Sequence, residues 1–394
     1  MEVKQIYTLI NSVSGEVLGK TDLVHEDLTG IVDLGNEVFN QKAVDNYVKS
    51  LVNHIGKVIF VNRPYSGKVP SVLMDAWEFG SVLEKISADV PKAEENDTWN
   101  LTDGKEYSQD VFHKPTVSAK FFNSKVTFEV PVSITERQVR ESFSSAEQLN
   151  GFLSMIYSAV EKSMTIKTDA LIMRTINNMI AETLDADKAA FGFVASTNEK
   201  VDYASASTVR CVNLLKLYNE KTGASLAANV AVTTPDFIRF AAYMMGLYAD
   251  RLQTISTLFN VGGKERFTPK DVLHTVLLSD FAAAAKTYLY ADTFHNENVL
   301  LPQAETVASW QASGKDYAFA NVSKVDVKSA SGATVSIGGV LGVMFDRDAL
   351  GVTNLDKRVT TNYNAKAEFF NNYYKFDAGY FNDTNENFVV FFVA

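Results

Sequence analysis

The stretch from Ser144 to Leu184 constrains this chain more than any other. Between Phe152 and Leu184 there is neither Gly nor Pro. Leu149, Phe152, Leu153, Ile156, Val160, Met164, Leu171, Ile172, Ile176, Met179, Ile180 and Leu184 recur at three- and four-residue steps. That spacing lays one apolar stripe along an α-helix. Ser144 and Glu147 stand three apart, the spacing of a capping box, so the start of the helix is written in as well. A helix over this span is about 60 Å long at about 1.5 Å per residue, whereas an ordinary helix has about 11 residues. An elongated structural subunit needs such a rod, although a long core helix in a large α/β protein would use the same residues.

The 394 residues suffice for two or more domains. With 46% hydrophobic and 21% charged residues and eight prolines, the chain is of the folded, globular kind. No apolar run approaches a membrane span, and Met1 to Lys4 lack the basic and apolar segments of a signal peptide. A single Cys211 rules out an intrachain disulfide framework and fits a reducing cytoplasm. The net charge of −10 and pI near 5.1 argue against coating nucleic acid through the whole surface, which takes clustered Lys and Arg. A local basic patch remains compatible with them.

Residues 1–35 read as an irregular arm broken by Gly15, Gly19, Gly30 and Gly35. A helix is expected over Glu37–His54 and a short strand over Val58–Val61. Lys92–Gln109 is a charge-rich polar stretch, expected as a solvated loop. Val117, Ala119 and Phe121, then Val126, Phe128 and Val130, alternate on either side of Asn123-Ser124, which predicts a β-hairpin. A two-stranded hairpin is barely stable alone, so it must lie on something, with a neighbouring subunit as one candidate. A short helix is expected within Ser133–Phe143, with Thr135 and Gln138 spaced as its cap. Further on, the sequence predicts helices over Ser207–Tyr218, ended by Gly223, from Thr234-Pro235 to Ile255, and from Ser279 to Tyr290. Strands are expected at His274–Leu278, Ala318–Val327, Val335–Phe345, Ala367–Phe376 and Asn387–Val393. Helices alternating with strands point to a compact α/β domain near residues 200–357.

A search for chemistry ends without a catalytic, cofactor or metal site. The five histidines (His25, His54, His113, His274, His295) show no metal-ligand spacing. Cys211 reads as a buried apolar thiol beside Val212 and Leu215. Gly262-Gly263-Lys264 resembles the end of a phosphate loop but is followed by Glu265 in place of Ser or Thr. Asp185 and Asp187 lack the full oxygen set of a calcium loop. Asp346-Arg347-Asp348 reads as a strand-ending turn. The aromatic run Phe369, Phe370, Tyr373, Tyr374 and Phe376 reads as packing rather than base stacking.

The order of parts is the informative feature: an arm, a projecting hairpin, one very long helix, a compact α/β domain, and aromatic C-terminal strands. With the phrases Pro131–Arg140 and Gly342–Gly351 and the closing segment Phe369–Asn382, it resembles the major capsid proteins of tailed bacteriophages, in the branch of small short-tailed phages. The resemblance implies an α+β, Hong Kong 97-like capsid fold. Its parts would be an N-terminal arm (1–57), an extended β-hairpin loop (58–133), a peripheral domain with the spine helix (134–200), an axial domain (201–357), and C-terminal strands of the peripheral domain (358–394). It implies a non-catalytic shell protein of the virion, assembled in the host bacterial cytoplasm. Pentamers and hexamers of it would form an icosahedral shell around double-stranded DNA, contacted non-specifically. Its partners would be itself, portal and scaffolding proteins; no membrane and no cofactor is implied. Trp77, Lys114, Phe121, Phe128, Arg347 and Glu368 are the expected subunit-interface residues. Some members of that family crosslink a loop lysine to a neighbour's asparagine. Lys114, Lys120 and Lys125 are loop lysines here, but no partner is identified and the chemistry is not carried over. Two alternatives fit the same reading: an encapsulin-like cellular compartment, and a cytoplasmic α/β enzyme with a mobile lid at 90–130.

Overall fold

The computed structural model describes residues 3–19, 24, 33–34, 37, 50, 70–74, 83–88, 91, 93, 95–107, 110, 112–114, 116–135, 137–138, 146–195, 200–290, 304–311 and 316–394. The expected helix over Glu37–His54, apart from residues 37 and 50, and the strand at Val58–Val61 lie outside them. The first element corrects the expectation of an irregular arm: helix α1 spans Val3–Leu18. Ile10, Val13 and Ser14 are buried on one side of it. Gly15 costs a helix interior only about 1 kcal/mol relative to Ala, which that burial outweighs. Gly19, at φ 69°, ends it.

Among the described residues, four strands precede the long helix: β1 (Leu73–Met74), β2 (Leu83–Ala88), β3 (Val117–Phe122) and β4 (Lys125–Thr135). The expected hairpin between the last two does not form. β3 pairs antiparallel with β2 instead, and β4 pairs with a strand more than 230 residues downstream. A two-residue hairpin loop needs positive φ, hence Gly or Asn-Gly. Asn123 and Ser124 do not adopt it; among the described residues Glu368 is the one non-glycine that does. The two strands therefore diverge at this corner. Beyond β4, Thr135 and Gln138 make the reciprocal bonds of a capping box, at 3.0 and 3.2 Å.

Helix α2 (Ala146–Ala186) is the anticipated rod, 41 residues long; Ser144 lies outside the described residues. Ile156, Val160, Met164, Leu171, Ile172, Ile176, Met179, Ile180 and Leu184 are buried along it. Thr168, Thr175 and Thr183 share that face, fully buried. Each hydroxyl is satisfied by donating to the carbonyl four residues back, at 2.8–3.0 Å.

The body follows as β5 (Cys211–Asn213), α3 (Leu214–Thr222), α4 (Pro235–Arg251), β6 (Leu273–Leu278), α5 (Ser279–Tyr290), β7 (Glu305–Val307), β8 (Val325–Lys328), β9 (Thr334–Ile337), β10 (Val340–Asp346), β11 (Leu350–Asn364), β12 (Phe369–Asn382) and β13 (Phe388–Phe392). Three expectations change here. The helix predicted from Ser207 begins only at Leu214. Cys211–Asn213 form a strand parallel to β13, and the Asn213 side chain caps α3 by accepting from Lys216 N–H at 3.1 Å. Ala318–Val327 opens with one helical turn, Phe319–Val322, before β8. Val335–Phe345 divides at Gly338-Gly339, where Gly339 takes φ 76° with the Val393 carbonyl against it.

Five strands in the order β5-β13-β10-β6-β7 form the central sheet. β10 and β13 are buried at every residue, as expected of strands covered on both faces. Cys211, Val343, Phe345, Val390 and Phe392 pack with the C-terminal half of α2. Val212, Leu341, Met344, Val389 and Phe391 face α3, α4 and α5. Gly342 permits the close approach of β6, because a Cβ there would meet Leu277 and the Val276 carbonyl. The second sheet has the order β1-β11-β12-β4. Its inward residues Phe128 and Phe376 pack with tilted rings, their centroids 5.1 Å apart. Its outward face is polar, crossed by Arg358–Asp377 at 2.6 Å and Lys375–Glu129 at 3.3 Å.

Candidate self-assembly interface

The two-stranded ribbon of β2 and β3 stands apart from both sheets. Its register pairs Leu83 with Phe122, Glu84 with Phe121, Lys85 with Lys120, Ile86 with Ala119, Ser87 with Ser118 and Ala88 with Val117. Side chains alternate in a strand, so two opposite faces follow. The face toward the body holds Lys85, Lys120, Ser87 and Ser118, with Leu83 half-buried and Phe122 buried at one end. The face toward solvent holds Ile86, Ala88, Val117, Ala119 and Phe121, with Glu84 its one charged residue. This inverts the usual polarity of a half-covered sheet. Ile86 is 66% and Phe121 63% exposed. The segment joining the strands continues the pattern, with Trp99 94% and Phe112 85% exposed.

Charge fastens the ribbon's inner face. Lys85 Nζ lies 3.0 Å from Asp383 Oδ2 and 2.8 Å from Glu386 Oε1. Lys120 Nζ lies 2.9 Å from Asp383 Oδ1, and its ammonium sits 5.3 Å above the Phe122 ring. Phe122 in turn packs on Phe381 at 5.1 Å. Burial pushes the Asp383 carboxyl up, but Lys120, Lys85 and the Asn385 N–H together hold it below the ordinary carboxylate range. Burial lowers the Lys85 ammonium, yet Glu386 and Asp383 outweigh it and raise its pKa.

The six residues singled out from sequence do not converge on one site. Phe121 lies on the ribbon's outward face, and Lys114 is exposed in the segment leading into β3. Phe128 points into its own sheet, against Phe376. Arg347 is exposed in the turn after β10, 4.0 Å from Asp348. Glu368 closes the β11–β12 turn at φ 53°, and Trp77 lies outside the described residues. Sequence reasoning did not single out Ile86, Val117, Trp99 or Phe112 for the interface; Ile86 and Ala88, two residues apart, were the available signal for the first.

The motifs considered for chemistry are structurally occupied. Asp185 accepts from Lys188 and Ser331, and Asp187 from Thr208 and Arg210. Burial pushes the Cys211 thiol well up. Among the described residues no group of three or more His, Cys, Asp or Glu side chains could hold a metal ion, and no helix is long and apolar enough to cross a membrane.

A body whose core is closed, carrying a ribbon whose apolar side faces outward, is the anatomy of a subunit made to associate. The chain matches the family model of the Phi29-like phage major capsid protein over residues 8–392, and it belongs to that family. It is a structural protein that self-assembles into a phage shell, and its place is the capsid of the virion. The family favours neither the cellular compartment nor the enzyme with a lid. No curated relative matches the sequence. Among solved structures, the capsid of Staphylococcus phage Andhra is similar at 9% identity, covering 82% of this chain and 83% of that one with a TM-score of 0.47. The capsid of Cyanophage P-SCSP1u is similar at 11% identity, over 85% and 92% of the two chains, with a TM-score of 0.44. The mature capsid of bacteriophage PhiM1 gives 9% identity, coverages of 84% and 87%, and a TM-score of 0.39.

Proposed function

We propose that the chain has the Hong Kong 97-like arrangement and builds an icosahedral shell through pentamers and hexamers, with the ribbon lying across the adjacent subunit. In this reading residues 58–133 are the extended loop, 134–200 and 358–394 the peripheral domain, and 201–357 the axial domain, preceded by an arm at 1–57. The inverted polarity of the ribbon is the observation that carries it. Ile86, Ala119, Val117 and Phe121 gain burial only against another surface, and a head-to-tail contact repeated around an axis closes into a ring. Each interface can be modest, on the order of 1,000 Å², because later contacts in a closing shell are effectively intramolecular. Portal and scaffolding proteins would complete assembly in the host cytoplasm, around double-stranded DNA held without sequence preference. The net charge of −10 suits DNA that must move without sticking.

Electron microscopy of purified protein tests the reading. Wild-type protein forms closed shells or capsomer rings, whereas Ile86→Asp with Phe121→Asp leaves folded, dispersed subunits. Closed shells from the double variant would overturn the ribbon's role.

A further inference from the structure

The lysines on the ribbon's inner face raise a question of placement. Lys85 and Lys120 are direct cross-strand partners, and like charges in that position repel. An isolated ribbon would be weakened by them. What makes the pair favourable is the turn between β12 and β13, which presents Asp383 (2% exposed) and Glu386 (7% exposed). Lys85 reaches both carboxylates and also donates to the Asp348 carbonyl at 3.2 Å. Lys120 reaches Asp383 and the Thr384 hydroxyl. Arg266, from the loop after α4, adds a third cation on Glu386 at 3.1 Å.

The acidic turn is itself immobilised from several sides. Asp383 N–H donates to the Ala349 carbonyl at 2.7 Å, Gly262 N–H to the Thr384 carbonyl at 2.8 Å, and Phe388 N–H to the Phe259 carbonyl at 2.9 Å. Asn385 N–H closes the turn onto Asp383 Oδ1 at 3.0 Å. Gly262 suits this contact, because a Cβ would displace the Asn385 side chain. The turn also joins the two large sheets, since β12 belongs to one and β13 to the other. The ribbon thus stands on an acidic post at the junction of the body, held there by the ion pairs and by Phe122 packed on Phe381.

We infer that Lys85, Lys120, Asp383 and Glu386 are positioning residues for shell assembly: the ionic seat fixes the direction in which the ribbon leaves its own subunit, and with it the geometry offered to the next copy. This rests on the ribbon being an interface. Its residues touch the ribbon's inner face, whereas the association itself uses the outer one, so the two ideas fail separately.

Spin labels at Ala88→Cys and Asp271→Cys report the ribbon's pose in the dissociated subunit, because the buried Cys211 stays unlabelled. The native seat gives one narrow distance distribution. Lys120→Glu places a third carboxylate in the seat, so the narrow distribution is lost and shells of mixed size or open sheets form. Lys120→Glu with Asp383→Lys restores both the narrow distance and uniform shells, a rescue that mere packing damage would not show. Should Lys120→Glu fail to fold, Lys120→Met and a salt titration of the otherwise wild-type labelled protein read the same loss. An unchanged distance in every variant overturns the inference. So does a broadened distance with shells still uniform. Failure of the ribbon-as-interface reading registers elsewhere, as assembly that survives Ile86→Asp with Phe121→Asp.

Discussion

The central sheet and the ribbon solve opposite problems with similar residues. In β10 and β13 every side chain is covered from both faces by α2 and by α3–α5. In β2 and β3 most of the apolar side chains point to solvent, while the lysines point inward with Leu83 and Phe122. The sheet spends its hydrophobic surface on its own fold. In the proposed assembly the ribbon keeps most of its own for another chain, while ion pairs and Phe122 on Phe381 fasten it to the body. Stability and assembly are therefore housed in different strands, and substitutions should separate them.

Phe391, fully buried on the sheet, gives the largest effect. Phe391→Ala should cost about 3–5 kcal/mol, read from the urea midpoint; a near-neutral result would break the contrast. Gly339→Ala comes next, at about 1–3 kcal/mol, because its left-handed φ of 76° is strained for any side chain and the Val393 carbonyl occupies the Cβ space. Asn213→Ala removes the α3 cap and should lower stability by about 1 kcal/mol, measured the same way. Acidification sharpens the comparison from the other side. The Asp383 carboxyl is held below its ordinary value of 3.8. Its contribution is therefore present above that value and is lost as pH falls through its lower folded pKa. Spin-label distances should show the ribbon released over that acid range. Ile86→Asp with Phe121→Asp has the smallest effect on folding, within about 0.5 kcal/mol as for surface changes generally, while abolishing shells in micrographs.

The long helix was legible because its stripe is local; the expected span 144–184 and the observed 146–186 nearly coincide. The buried strands at 273–278 and 388–392 were legible for the same reason, as continuous apolar runs. What escaped depends on distant partners. Cys211–Asn213 is a strand because β13 lies beside it, 179 residues away in the register. Between Asp356 and Asn364, β11 has only Val359 and Tyr363 as apolar residues, so its strand shows only once β12 pairs with it. At the interface, Phe121 and Phe128 looked equivalent. Strand parity is broken at Asn123-Ser124, so one ring faces solvent and the other its own core. The seat beneath the ribbon joins residues 263 apart, a separation no local pattern reveals.

The rod α2 touches strands of both large sheets, including β13 on one side and β4, β11 and β12 on the other. A beam bolted to two plates does not let them swing past each other. A shell built from such subunits would take up any change of radius at the seams between copies rather than between the two plates.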